Sequence, residues 1–211
     1  MKALSVIVWV AYPVVLIMLF ASLLTSHPYM RISKGMYETH ALIECDHDTL
    51  AEMLIDYLNY RRDDLLNTCP ETGDFMLTDA EISHMEDVLG VYTMLRIIAG
   101  VALVLVIASS VYLWVRARAV FYWTFKHIFW LPLAIVVMLG GWIAFDFDHA
   151  FHVFHLLFFE DNWQFPHHSN MIRLLPIEFW MTSAILILLG TVFTMVLTIV
   201  LNRYLVRRTV K

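Results

Sequence analysis

Cysteine is nearly absent. The chain of 211 residues has 2, Cys45 and Cys69. Neither sits in a CxxC pair or a nucleophile motif, so a cysteine nucleophile has no support. The GxSxG elbow of serine hydrolases is missing too, and Ser109 and Ser110 sit within an apolar run as helix-packing residues. No HExxH zinc signature, internal repeat or low-complexity tract occurs. Charge is scarce at 16% of residues, and no basic stripe lies outside the flanks of the apolar runs. That excludes nucleic acid as a partner.

Apolar residues fill the space, at 60% of the chain with mean hydropathy +0.69. Four long apolar runs cover about residues 5–24, 91–115, 128–145 and 177–201. At about 1.5 Å per residue each reaches about 27–30 Å as a helix, enough to cross a bilayer core. The first run is too long for a typical signal-peptide core and no clean A-x-A site follows, so it is expected to be retained. The expected fold is an all-α integral membrane protein with four transmembrane helices, built as a single membrane domain over 1–211.

Charge orients it. Lys2, Arg116, Arg118, Lys126, Arg203, Arg207, Arg208 and Lys211 flank the runs on one side, which the positive-inside rule makes cytoplasmic together with both termini. All 19 acidic residues fall between Glu38 and Asp87 or between Asp146 and Glu178. Segments 25–90 and 146–176 are then extracytoplasmic and form a small outer cap. The first holds about 64 residues (27–90). Both cysteines lie in it, so a disulfide can form there, although spacing alone does not decide it.

Within that first segment, "HDTLAEMLIDYLNY" places Leu50, Met53, Leu54, Tyr57 and Leu58 at amphipathic helical spacing. "RRDDLLNTCPETGDF" reads as a polar loop and "MYETHALI" as a weak strand. Thr78 with Glu81 three residues on is a capping box, so a helix should start near Asp79 and run into the second span. Glu81, His84 and Asp87 then follow one side of it. Arg96 lies inside the span, where charge is costly and serves an ion pair, a lipid phosphate or a polarised carbonyl.

"FDFDHAFHVFHLLFFEDNWQFPHH" (145–168) is the other concentration of chemistry, with five of the 10 histidines. Its first part, to about Phe159, suits an interfacial helix. His149, His152 and His155 recur every three residues, near Asp146, Asp148, Glu160 and Asp161. A metal-dependent membrane hydrolase would use them as ligands. Three histidines at this spacing fan over about 120° of a helix and do not converge tightly. Acid–base chemistry needs only one imidazole to take a proton and another to return it, and His84 and His155 arrive from different helices. A third reading makes these polar residues the rim of a non-enzymatic membrane sensor.

Two motifs break this tie. "FMLTDAEISHMEDV" and "DFDHAFHVFHLLFFEDNWQF" resemble the bacterial lipoprotein intramolecular transacylase family. The matching residues are Glu81, His84, Asp87 and Val88, then Asp146, Phe147, Asp148, Phe151, Phe154 and His155, then Trp163, Phe165, Pro176, Phe179 and Trp180. "LIDYLNY" is similar to the family's outer helix. Leu89 replaces a lysine of the pattern, and Pro166 and Ser169 or Asn170 stand where it carries aspartates.

The resemblance implies an acyltransferase of the bacterial cell membrane that needs no cofactor. Its substrate would be a diacylglyceryl-modified lipoprotein presented in membrane lipid. The sn-2 acyl chain would pass to the α-amino group of the same cysteine, leaving a lyso-form N-acyl lipoprotein. His155 and His84 are the expected catalytic pair, supported by Asp148, Asp87, Glu81 and Arg96. Trp163, Phe151 and Tyr57 are expected at the substrate. His149 and His152 become bystanders.

Overall fold

In the computed structural model, residues 1–38, 43, 45–159 and 163–209 are described. Their regular structure is helical, apart from one isolated β-bridge between Thr68 and Phe75. The helices are α1 (Lys2–Leu24), α2 (His27–Lys34), α3 (His47–Leu58), α4 (Asp79–Arg116), α5 (Arg118–His127), α6 (Trp130–Phe145), α7 (Phe147–Phe158), α8 (Asn170–Leu174) and α9 (Ile177–Thr209). Four stretches are long and apolar enough to cross a membrane: α1, α4, α5 with α6, and α9. They include the four expected runs. Half of the strand expected over 36–43, residues 39–42, lies outside the described residues, as do Glu160 and Asp161.

The backbone groups into two compact units. The first holds Met1–Ala21, Leu95–Phe145 and Ile185–Lys211. Apolar packing alone discriminates poorly between helices in lipid, so small residues and hydroxyls supply specificity. The Ser5 and Thr124 hydroxyls meet at 2.7 Å, and the Trp9 indole N–H donates to the Thr124 carbonyl at 2.9 Å. Tyr12 meets Thr198 at 2.7 Å, and the Asn202 amide donates to the Tyr122 carbonyl at 3.0 Å. Gly190 lies so close to the Phe20 ring that a Cβ there would stand 2.6 Å from it.

The second unit holds Ser22–Met94 and Asp146–Ala184 and carries every candidate catalytic residue except Arg96. Its core gathers Leu50, Met53, Leu54 and Tyr57 of α3 with Tyr29, Met76, Leu77, Met85, Met171 and Phe179. The amphipathic spacing read from α3 is therefore its buried face. Asp46 caps α3, accepting from the Asp48 and Thr49 amides at 3.0 and 3.1 Å. Cys45 and Cys69 are joined in a disulfide, Cα atoms 5.7 Å apart, which fixes the entry of α3 to the loop before α4. Spacing had left that pairing open; two 2%-exposed thiols in one core close it.

Candidate active site

The capping box forms as the sequence predicts. The Thr78 amide and hydroxyl both donate to Glu81 Oε2 at 2.8 Å, and the Glu81 amide donates back to Thr78 Oγ1 at 3.1 Å. These bonds satisfy donors that a helix start leaves open, so α4 begins at Asp79. His84 follows on its second turn and is 6% exposed.

α7 supplies the second imidazole. Asp146 caps it by accepting the His149 amide at 3.0 Å. His155 lies in the last turn and is 8% exposed, while Leu156 and Leu157 on the same helix are 58% and 73% exposed. The two histidines come together with ring centroids 6.2 Å apart and planes at 24°. Phe159 and Phe165 flank His84 at 4.8 and 5.6 Å. Phe151, Trp163, Phe159 and Phe154 surround His155 at 4.1, 4.8, 5.4 and 5.5 Å.

Hydrogen bonding gives the rings distinct states. His155 Nδ1 lies 2.7 Å from the Phe151 carbonyl, which can only accept. Nδ1 therefore carries the proton, and in the neutral ring Nε2 keeps its lone pair. Burial is the main influence on His155 and holds it below the ordinary histidine range; the Phe151 bond opposes that, and the charge of His152 adds to it. His84 Nδ1 is buried with no hydrogen-bond partner. A buried polar atom without a partner is costly, so this one suits a group that arrives with substrate.

The supporting residues divide. Burial, with the neighbouring His155, lowers the pKa of His84 to about 4; Asp87, exposed one turn beyond it, opposes that only in part. The Glu81 carboxylate is engaged away from His84. One of its oxygens holds Thr78, and the other accepts the Met171 amide at 3.3 Å. It is 1% exposed and joins two segments. Asp148 is exposed in the first turn of an unbroken α7 and makes no hydrogen bond among the described residues. Arg96 belongs to the first unit and is half-buried. Tyr57 is buried in the core of the second unit.

The metal reading fares poorly on geometry. His149 and His152 are exposed, and among the described residues the three histidines do not gather their ligand atoms. The residues that do are Cys45, Cys69 and Glu71, and both cysteines are in the disulfide. His152 instead packs edge-on against Trp163 at 5.1 Å.

Sequence reasoning missed Phe159 and Asn170. Phe159 closes the aromatic ring around both histidines and ends α7. Asn170, which the sequence marked only as standing in place of an aspartate of the pattern, is 2% exposed and opens α8. No periodicity marks a five-residue helix, but Ser169 before it is a recognisable cap and accepts the Ile172 amide at 3.2 Å.

No curated protein sequence matches the chain. Three solved structures share its fold, all of the membrane-integral lipoprotein intramolecular transacylase Lit from Bacillus cereus. The first is 21% identical with a TM-score of 0.81, and the match covers 99% of this chain and 96% of that one. The others are variants with a histidine replaced by alanine or by arginine. Their TM-scores are 0.77 and 0.75 at 21% and 22% identity, covering 99% of this chain and 94% and 92% of theirs. The family model described as lipoprotein intramolecular transacylase Lit matches residues 3–180. On that match the chain belongs to the lipoprotein intramolecular transacylase family, multi-pass membrane acyltransferases that act on lipoproteins.

Proposed function

We propose that this protein transfers the sn-2 acyl chain of a diacylglyceryl-cysteine lipoprotein to the α-amino group of the same cysteine, with His155 and His84 as acid–base catalysts. The observation that carries the reading is the His155 hydrogen bond to Phe151, which leaves Nε2 as a lone-pair nitrogen beside a second buried imidazole. Both termini are taken as cytoplasmic and the site as extracytoplasmic, from the distribution of basic and acidic residues.

The amine nitrogen attacks the ester carbonyl carbon and forms the new C–N bond. Its proton passes to His155 Nε2. The tetrahedral adduct collapses by breaking the bond to the sn-2 oxygen, and an imidazolium returns a proton to that oxygen as it leaves. One ester becomes one amide and one hydroxyl, and no water is consumed. Nucleophile and ester belong to one molecule, so no enzyme nucleophile is needed and holding them in register supplies much of the rate. The aromatic ring of the site excludes water that would hydrolyse the ester.

His84 is the complementary partner that donates a hydrogen bond from its neutral ring, since burial and the neighbouring His155 push its pKa down to about 4 against the weaker pull of Asp87. Asp148, exposed in the first turn of α7, is assigned a supporting role to His155 through a third group, such as the substrate amine. Arg96 is assigned to a carbonyl or phosphate contact, and Trp163 and Phe151 to packing on the lipid portion; Tyr57, expected at the substrate, is buried in the core and supports the site from behind. Mass spectrometry of lipoprotein N-termini from cells with and without the protein tests the reaction. One acyl group should move to the amine only when the protein is present. Undiminished lyso-form product from a His155→Ala protein would overturn the histidine assignment.

A further inference from the structure

A buried polar junction stands next to the catalytic pair, and catalysis as described does not use it. Asn170 is 2% exposed. Its side-chain amide donates to the carbonyls of Phe75 at 3.2 Å and Met76 at 3.0 Å. Those carbonyls belong to the stretch entering α4, outside any helix that would otherwise satisfy them. The next amide, of Met171, donates to Glu81, which is 1% exposed and one turn before His84. Three hydrogen bonds thus tie residues 170–171 to residues 75–81. The stretch that leads into Asn170 carries Trp163, packed on His155, and Phe165, packed on His84.

We propose that Asn170, acting with Glu81, is a positioning residue that holds the Trp163 and Phe165 wall against the two imidazoles. The junction joins the chain bearing one histidine to the chain bearing the wall, so its bonds set how closely the rings are covered. Buried carbonyls left without a donor seek water, and the segments they anchor separate. An apolar substitute would fill part of the volume and leave the registry open. The inference rests on the reading that His84 and His155 carry the reaction.

Two readouts on the full-length protein in lipid nanodiscs separate positioning from mere folding. The first is the labelling rate of His155 by diethyl pyrocarbonate, mapped by peptide mass spectrometry. It needs no turnover. Asn170→Ala and Glu81→Ala, which removes the oxygen that accepts the Met171 amide, should each speed it about ten-fold, in a protein of native helicity, as the wall opens. The second is the pH dependence of kcat on a synthetic diacylglyceryl-cysteine lipopeptide. The titratable neighbours of His155 among the described residues are His84 on α4 and His152 on its own helix. With both unchanged, hydration of the uncovered ring should move the acid limb up toward about 6.5, the exposed-histidine value.

A variant that only lowered the amount of folded protein would add a fast-labelling fraction without changing the rate of the remainder, and would leave the acid limb in place. Unchanged labelling and an unmoved acid limb in natively folded Asn170→Ala would overturn the proposal. Should that variant not fold, Asn170→Ser keeps a polar group too short to reach both carbonyls, and the same two outcomes decide. Wild-type turnover by His155→Ala would overturn the histidine reading instead, while the labelling rate would still report on the junction.

Discussion

The imidazoles of His84 and His155 lie nearly parallel, 6.2 Å between centroids, although one enters from the second turn of α4 and the other from the last turn of α7. That spacing sets the two rings side by side, close enough for both to reach one substrate. General acid–base groups contribute about 100- to 10,000-fold to a rate. His155→Ala and His84→Ala should each lower kcat for lyso-lipoprotein formation within that range. Because they serve one proton path, the double variant should lose far less than the product of the two effects. Multiplicative losses in single-turnover assays would mean that the rings act independently.

The pH profile has a sign set by burial. His155 is held below the ordinary histidine value because the charged ring is desolvated. Its base form is therefore present throughout the neutral range and is lost only as pH falls through the lowered value. In the bound complex kcat should stay flat from about 8 down to below about 6.5, the unperturbed histidine value, and then fall. The kcat/KM profile should add a limb near about 7.7–8.0 from the free substrate amine. A kcat limb at or above the ordinary histidine value would show that His155 is not the base or is not desolvated during turnover.

Much of this arrangement could be read from the chain, for identifiable reasons. Thr78 and Glu81 announce the start of α4 because a capping box is a local device that four residues complete. The face of α3 was legible because helical periodicity selects which residues are buried. The two motifs named His84 and His155, but spacing could not show that their rings meet, since the contact joins separate helices. Glu81 shows the same limit. It stands one turn before His84, and its second oxygen is engaged by Met171, far along the chain. Short α2 and α8 carry too few residues for a period to emerge.

The Thr78 cap should matter beyond its own hydrogen bonds. Thr78→Ala removes the hydroxyl that receives the Glu81 amide and donates to the Glu81 carboxylate. Losing such a cap costs about 1 kcal/mol, within a range of about 0.5–2. The expected result is a lower melting temperature with kcat nearly unchanged at temperatures where the protein remains folded. Thr78→Ser keeps the oxygen and should restore most of the melting temperature. A collapse of kcat in folded Thr78→Ala would instead place this cap within the catalytic geometry.

Reduction of the disulfide offers a test confined to the second unit. Cys45 and Cys69 are separated by 24 positions, and their bond anchors the entry of α3 to the loop that precedes α4. Cross-linking a loop of that length stabilises a fold by about 3 kcal/mol, chiefly by restricting the unfolded chain. Cys45→Ser with Cys69→Ser should lose about that much. The loss should appear as faster amide exchange in α3 and in the loop through Met76, while the apolar helices of the first unit keep their protection. Neither sulfur takes part in the proposed proton path, so kcat measured well below the melting transition should change by less than about three-fold, a shift worth under about 0.7 kcal/mol. Equal loss of protection in both units would show that the second cannot loosen alone. Complete inactivation of a folded double variant would show that the position of α3 governs the active site, which would raise Tyr57 from a packing residue to a determinant of the reaction.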